Sequence, residues 1–102
     1  MRAAAWNNGH FTSTGTGYGL SINAGERDRW FRRTWPSVIL DLPNGRTGIR
    51  VRLSNYFWRN CPELRSAEVG RWLIGIDHQR WPRGKPPAFT LIQVRGNHFA
   101  VS

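Results

Sequence analysis

Hydrophobic and polar residues alternate most clearly in the segment between residues 37 and 53. Apolar side chains occupy every second position on both sides of Asn44-Gly45, namely Val38, Leu40, Leu42, Ile49, Val51 and Leu53. Because successive side chains of a strand point to opposite faces, this spacing predicts two strands that each bury one face. Asn-Gly between two such runs is a strong local signal for a β-hairpin. The second strand then displays Arg50 and Arg52 on its outward face.

Shorter alternating runs predict further strands. The stretch "GYGLSI", residues 17–22, has apolar residues at every second position and predicts one strand. Near the end of the chain, "AFTLIQV" and "HFAV" lie on the two sides of "RGN" and predict a second hairpin. Residues 1–17 are instead rich in Gly, Asn, Ser and Thr and show no apolar period. We expect a flexible N-terminal arm there, or one edge strand.

A first helix is predicted from residue 24 to about residue 34. Asn23 followed by Glu26 has the spacing of an N-cap whose side chain accepts a backbone hydrogen bond, with a carboxylate that returns one. Acidic residues lie early in this segment and arginines late, an order that suits the helix dipole. Pro36 then ends the segment, because proline cannot continue a helix.

The main helix is predicted in residues 60–77. An apolar stripe with helical spacing runs along this segment and consists of Val69, Trp72, Leu73 and Ile76. Asn60 and Glu63 repeat the capping spacing at its start, and Pro62 is tolerated in a first helical turn.

The predicted elements follow the order β-α-β-β-α-β-β. Three prolines and a glycine in "RWPRGKPP", residues 80–87, predict a loop between the main helix and the last hairpin. At 102 residues the chain is long enough for one hydrophobic core. We therefore expect a small single α+β domain over residues 18–102, preceded by the arm. In this domain an antiparallel sheet of about five strands packs on one main helix.

Charge distinguishes this chain more than its length does. Fifteen basic residues face six acidic ones, so the formal net charge is +9, and every basic residue except Lys85 is arginine. Such an excess favours contact with phosphates and other anions, and the planar arginine side chain matches phosphate geometry. A GC-rich genome would also enrich arginine codons, so the bias supports anion binding only in part.

The expected location is the cytoplasm, away from membranes. The single cysteine, Cys61, cannot form an intramolecular disulfide. No apolar stretch reaches the roughly 18 residues of a membrane span, and the start of the chain lacks the apolar region of a signal peptide. Histidine and cysteine do not have the spacing of a zinc site, and we expect neither a metal nor a cofactor.

Basic residues in three sections of the chain are the candidate ligands for phosphate: Arg29, Arg32, Arg33, Arg50, Arg52, Arg83 and Lys85. Backbone contacts of this kind give affinity and salt dependence with little sequence preference. No helix-turn-helix, zinc-finger or RNP pattern adds a specific reader of bases. We expect a non-enzymatic domain that binds nucleic acid or another polyanion, provided that the three sections share one face. Evenly spread charge would serve solubility instead.

Two other functions stay open as alternatives. In a small metal-independent ribonuclease, comparable to bacterial toxins of toxin–antitoxin systems only in size and charge, His78 or His98 would be the general base. Arginine would then stabilise the charge of the phosphorane. Tryptophans interleaved with arginines, such as Trp30 and Trp58, also suit a protein-interaction module or a homodimer. We favour a structural role for these tryptophans, because a small domain needs large core residues.

Overall fold

The alternating segments of the sequence form strands of one sheet. The computed structural model describes residues 1–59, 62–78 and 80–102. The strands that these residues form are β1 (Arg2–Asn7), β2 (Tyr18–Ser21), β3 (Ser37–Asp41), β4 (Ile49–Arg52), β5 (Glu63–Arg65), β6 (Ala88–Arg95) and β7 (His98–Val101). Their helices are α1 (Ala24–Trp30), α2 (Asn55–Arg59) and α3 (Ala67–Gly75). The predicted α+β class is confirmed.

The sheet is mixed, and it curls until it nearly forms a barrel. Within the described residues it has seven strands in the order β4-β3-β7-β6-β1-β2-β5, and its two edge strands, β4 and β5, approach each other. Neighbouring strands are antiparallel except β3 and β7, which pair in parallel. The prediction of an antiparallel sheet of about five strands is therefore wrong in both details. Antiparallel hairpins are encoded by adjacent segments, whereas the parallel pair joins segments about 60 residues apart.

The directions of the strands determine at which end of this barrel each helix lies. Helix α1 connects β2 to β3 and α2 connects β4 to β5, so both lie at the end where β3 and β5 begin. Helix α3 lies at the other end, together with residues 8–17 between β1 and β2 and residues 80–87 before β6. We call these the α1–α2 end and the α3 end.

The core fills the inside of the barrel and extends beneath the helices. The two predicted alternating runs around Asn44-Gly45 pair as the β3–β4 hairpin, with Val38 opposite Val51 and Leu40 opposite Ile49. Their inward side chains meet those of the other strands and helices. The fully buried side chains are Tyr18, Leu20, Val38, Leu40, Val51, Phe57, Leu64, Val69, Leu73, Leu91 and Phe99.

The first helix is confirmed at its start and shorter at its end. The Asn23 side chain accepts a hydrogen bond of 2.8 Å from the backbone N–H of Glu26, as the cap spacing predicts. The helix ends at Trp30 rather than near residue 34. Phe31 leaves the helix in extended backbone and turns inward, where its ring stacks on Phe99 at 5.0 Å between centroids. Burial of this ring stops the helix before Pro36 is reached.

The main helix begins later than predicted. Residues 63–65 form β5, because Leu64 is fully buried when it pairs with Leu20 of β2. Ser66 is then the N-cap, and its hydroxyl accepts a hydrogen bond of 3.2 Å from the backbone N–H of Val69. The predicted cap residue Asn60 lies outside the described residues. The segment predicted as one helix is therefore divided between a strand and a nine-residue helix, and the helix carries Val69, Trp72 and Leu73 of the stripe.

Strand β1 lies inside the sheet, where the sequence predicted an arm or an edge strand. It pairs with β2 on one side and with β6 on the other. Its inward residues, Ala3 and Ala5, are buried, and the amino group of Met1 donates a hydrogen bond of 2.7 Å to the Leu91 carbonyl. Alanine is only weakly apolar, so the alternation of buried and exposed residues in this strand was not recognised in the sequence.

Residues 8–17 lie against α3 at a contact that only glycine permits. A Cβ added to Gly70 would lie 2.1 Å from the Gly15 carbonyl oxygen, and one added to Gly15 would lie 2.2 Å from the Ala67 carbonyl oxygen. Both glycines are buried. This backbone contact holds the long β1–β2 connection against the helix.

We expect G70A to lower the free energy of unfolding by at least about 2 kcal/mol, because the added methyl group has to displace backbone. G75A, in the same helix, places its methyl group in open space. This control should be neutral or stabilising by up to about 1 kcal/mol through helix propensity. Urea unfolding of both variants provides the comparison, and equal effects would contradict the close contact.

Candidate nucleic-acid interface

Four of the predicted phosphate ligands lie together at the α1–α2 end. Arg29 is exposed on α1, and exposed Arg32 and Arg33 follow the helix directly. The segment that carries them leads into β3, whose first residue, Ser37, pairs with Arg52 at the end of β4. We call Arg29, Arg32, Arg33 and Arg52 the α1–α2 surface.

The side chain of Arg50 also reaches this end. Arg50 shares the outward face of β4 with Arg52, and its Nη1 donates to the hydroxyl of Ser37, the first residue of β3, at 3.2 Å. The other two candidates lie elsewhere. Arg83 and Lys85 are exposed in the turn that precedes β6, at the α3 end. The condition that all three sections share one face is not met, and the structure divides the charge between two ends of the barrel.

A groove of 380 Å³ opens within the α1–α2 end. It is lined by Asp28, Arg29, Trp30, Phe31, Arg32 and Gln93. The groove lies where α1 ends at Trp30 and the following residues, Phe31 and Arg32, approach Gln93 of β6. Two guanidinium groups, one amide and the carboxylate of Asp28, which is ion-paired with Arg27, therefore border a single concavity.

Two exposed arginines that flank this surface were missed by sequence reasoning. Arg59 ends α2, and Arg95 ends β6 before the turn into β7, so both lie at the α1–α2 end. Arg95 lies in the turn predicted for the last hairpin. Only the order and direction of the strands place this turn at the α1–α2 end, and no local sequence pattern gives them.

Aromatic rings support the arginines rather than offering free stacking faces. The guanidinium of Arg29 lies 5.4 Å from the ring centroid of Trp30, and that of Arg33 lies 4.9 Å from the ring centroid of Trp58. Both tryptophans are half-buried and pack against the core. Such cation–π contacts hold a guanidinium group while its N–H groups stay available at the edges. The arrangement agrees with the structural role favoured for these tryptophans.

Arg27, next to this surface, is a structural residue. It is 7% exposed, and its Nη1 donates a hydrogen bond of 2.9 Å to the buried Phe57 carbonyl oxygen. Its Nε donates to an Asp28 carboxylate oxygen at 3.0 Å. Through these contacts one arginine joins α1 to α2 and takes no part in the exposed charge.

The arginines of the α1–α2 surface are free of carboxylate partners within the described part of the chain. Arginine–carboxylate ion pairs there join Arg27 to Asp28, Arg46 to Glu68 and Arg65 to Glu63. Arg29, Arg32, Arg33 and Arg52 form none. Unpaired guanidinium groups keep their full charge for an external anion.

A histidine–aspartate pair lies on the outward face of the sheet. Nε2 of His98 lies 2.6 Å from an Asp41 carboxylate oxygen, and the other Asp41 oxygen accepts a hydrogen bond of 2.8 Å from the Gly48 backbone N–H. The Gly48 hydrogen bond, and then the contact with His98, lower the pKa of Asp41 below its ordinary value of 3.8. Ile39 of β3 pairs with His98 on one side and with Arg50 on the other. The pair and an arginine thus share one face.

His78 has no comparable setting. It is exposed after α3, and its ring lies 6.4 Å from that of Phe89 between centroids. The described His, Asp and Glu side chains nowhere form a group of three that could hold a metal ion. No helix of the described residues has the length and apolar character needed to cross a membrane.

Comparisons with protein-family models, with curated proteins and with solved structures find nothing that matches this chain.

Arg27 and Arg29 allow the structural and exposed arginines to be separated by measurement. We expect R27A to lower the free energy of unfolding by about 2–4 kcal/mol, because it leaves the buried Phe57 carbonyl oxygen without its charged donor. R29A, two residues away, should change it by less than about 0.5 kcal/mol. Chemical denaturation of both variants tests this, and a neutral R27A would refute the assigned role.

Proposed function

We propose that the domain binds nucleic acid through arginine–phosphate contacts at the α1–α2 surface. The observation that carries this proposal is the set of four exposed arginines without carboxylate partners in the described residues, gathered at one end of the barrel. Two of them border the groove of 380 Å³, which can seat part of a phosphate backbone. The net charge of +9 attracts the same ligand from a distance.

The chemistry of the surface favours backbone contacts over the reading of bases. Guanidinium groups fix position on phosphates, whereas sequence is read by side chains that reach base edges in a groove. The flanking aromatic rings are occupied by arginines, and α1 has only seven residues with its exposed arginine near the C-terminal end. Binding should therefore depend strongly on salt and weakly on sequence.

The salt dependence has an expected size. Each phosphate neutralised on duplex DNA contributes about −0.9 to the slope of log affinity against log salt. Four contacts would give a slope of about −3.6, which corresponds to a loss of about two orders of magnitude between 50 and 200 mM salt. Flanking Arg59 and Arg95 would steepen it.

We expect R29Q/R32Q/R33Q to weaken the tightest binding of a short duplex by about tenfold or more and to reduce the slope by about 2 to 3. The charge-matched control is R2Q/R46Q/R65Q, which removes three arginines outside this surface, two of them ion-paired. Fluorescence anisotropy over a salt series measures both variants. Equal losses in the two would show that only net charge matters, and no binding by the unaltered protein at low salt would end the proposal.

Cleavage of RNA is a second candidate function, favoured by the pair on the outward sheet face. Asp41 holds Nε2 of His98, which leaves Nδ1 as the ring nitrogen for a substrate hydroxyl. The histidine side chain is 33% exposed. A base oriented by a carboxylate, with Arg50 on the same face of the sheet to stabilise phosphorane charge, supplies two of the groups that such a site uses.

If this site cleaves RNA, H98A should reduce the rate by about 100-fold or more, as loss of a general base does. H78A removes an exposed histidine without a carboxylate partner in the described structure and should leave the rate unchanged. Gel analysis of a labelled single strand, with detection of a 2′,3′-cyclic phosphate product, provides the test. No cleavage by the unaltered protein, or cleavage that survives H98A, would exclude this role.

A further inference from the structure

The α3 end carries a second group of unpaired basic residues. Arg71 on α3, Arg80, Arg83 and Lys85 are exposed, and none forms an ion pair within residues 1–59, 62–78 and 80–102. Nη1 of Arg71 donates a hydrogen bond of 3.1 Å to the Thr14 carbonyl oxygen. We call these four residues the α3-end surface.

This surface includes a concavity of its own. A groove of 290 Å³ is lined by Phe11, Thr12, Ser13, Tyr18, Ile74 and Arg80. The guanidinium of Arg80 lies 5.0 Å from the ring centroid of Phe11, which belongs to the connection between β1 and β2. The polar groups of the lining are hydroxyls and a guanidinium, and no carboxylate lines the groove. A guanidinium without a carboxylate partner suits phosphate oxygens.

The two surfaces lie at opposite ends of the barrel. Residues 80–87 lead into β6, whose neighbour is β1, whereas Arg52 lies on the edge strand β4 and on the opposite end of the barrel. The molecule measures 33 × 28 × 20 Å. A duplex is straight over such a distance, because its persistence length is about 500 Å. A straight duplex that lies across one end of the barrel therefore does not reach the other end.

We propose that the α1–α2 surface and the α3-end surface hold two separate nucleic-acid segments, so that a single molecule bridges them. This inference rests on the proposed function and adds a second site to it. Mass action gives bridging a distinctive dependence on protein concentration. Bridged pairs form while protein is scarce and disappear in excess, when each segment is occupied by its own protein molecules.

The test uses two short duplexes of unrelated sequence at low salt, one biotinylated on beads and one fluorescent in solution. The unaltered protein should capture the fluorescent duplex, with capture that rises and then falls as protein is added. R29Q/R32Q/R33Q and R80Q/R83Q/K85Q should each still bind one duplex in anisotropy but capture at least tenfold less of the second. The control R2Q/R46Q/R65Q loses the same charge, but Arg46 and Arg65 are ion-paired with Glu68 and Glu63, so it should lose much less capture than either of these variants.

The outcomes separate this inference from the function on which it rests. Binding of one duplex without capture of a second would overturn the bridge and leave the proposed function intact, whereas absence of any binding would overturn both. Normal capture by both single-end variants would overturn the bridge as well. Light scattering measures whether the protein is a monomer in solution. Capture by a dimer would overturn the bridge by a single molecule, because the two sites would then belong to two copies of the chain.

Discussion

The parallel pairing of β3 with β7 is the contact on which the rest of the fold depends. Without it the chain would be two antiparallel sections, the β3–β4 hairpin and the strands from β7 to β5. The Ile39 backbone N–H donates to the Asn97 carbonyl oxygen at 2.9 Å, and the Asn97 side chain donates to the Ser37 carbonyl oxygen at 3.0 Å. Phe99, fully buried on β7, then packs beneath the segment that follows α1. One pair of strands thus joins the two sections into one sheet and positions the α1–α2 end.

Sorting of the helices to two ends has a direct electrostatic consequence. Arginines that lie far apart in sequence come together when their elements reach the same end, as Arg33 and Arg52 do. Others that look equivalent in sequence are separated by the barrel, as Arg33 and Arg83 are. Arg27 shows a third outcome, since its burial against Phe57 converts a surface charge into a link between helices. Charge in this molecule is therefore organised by strand direction more than by local clustering.

Local signals predicted the parts of the fold that are made by neighbouring residues. The β3–β4 and β6–β7 hairpins and the Asn23 cap all occur where alternation and capping chemistry placed them. The predictions of local structure were wrong where tertiary contacts overrode such signals. Glu63 has the spacing of a helix cap, but burial of Leu64 against β2 draws its segment into a strand. Buried alanines, in turn, gave β1 too little apolar contrast to be recognised.

The sequence by itself determined the α+β class, the two hairpins and the sign of the charge, because each follows from composition or from residues a few positions apart. Tertiary structure alone decided which arginines converge, that Arg83 and Lys85 lie away from Arg29, and that His98 meets Asp41. Such decisions depend on the register of strands distant in sequence. Register is set by the packing of the whole core and leaves no signature in a single segment.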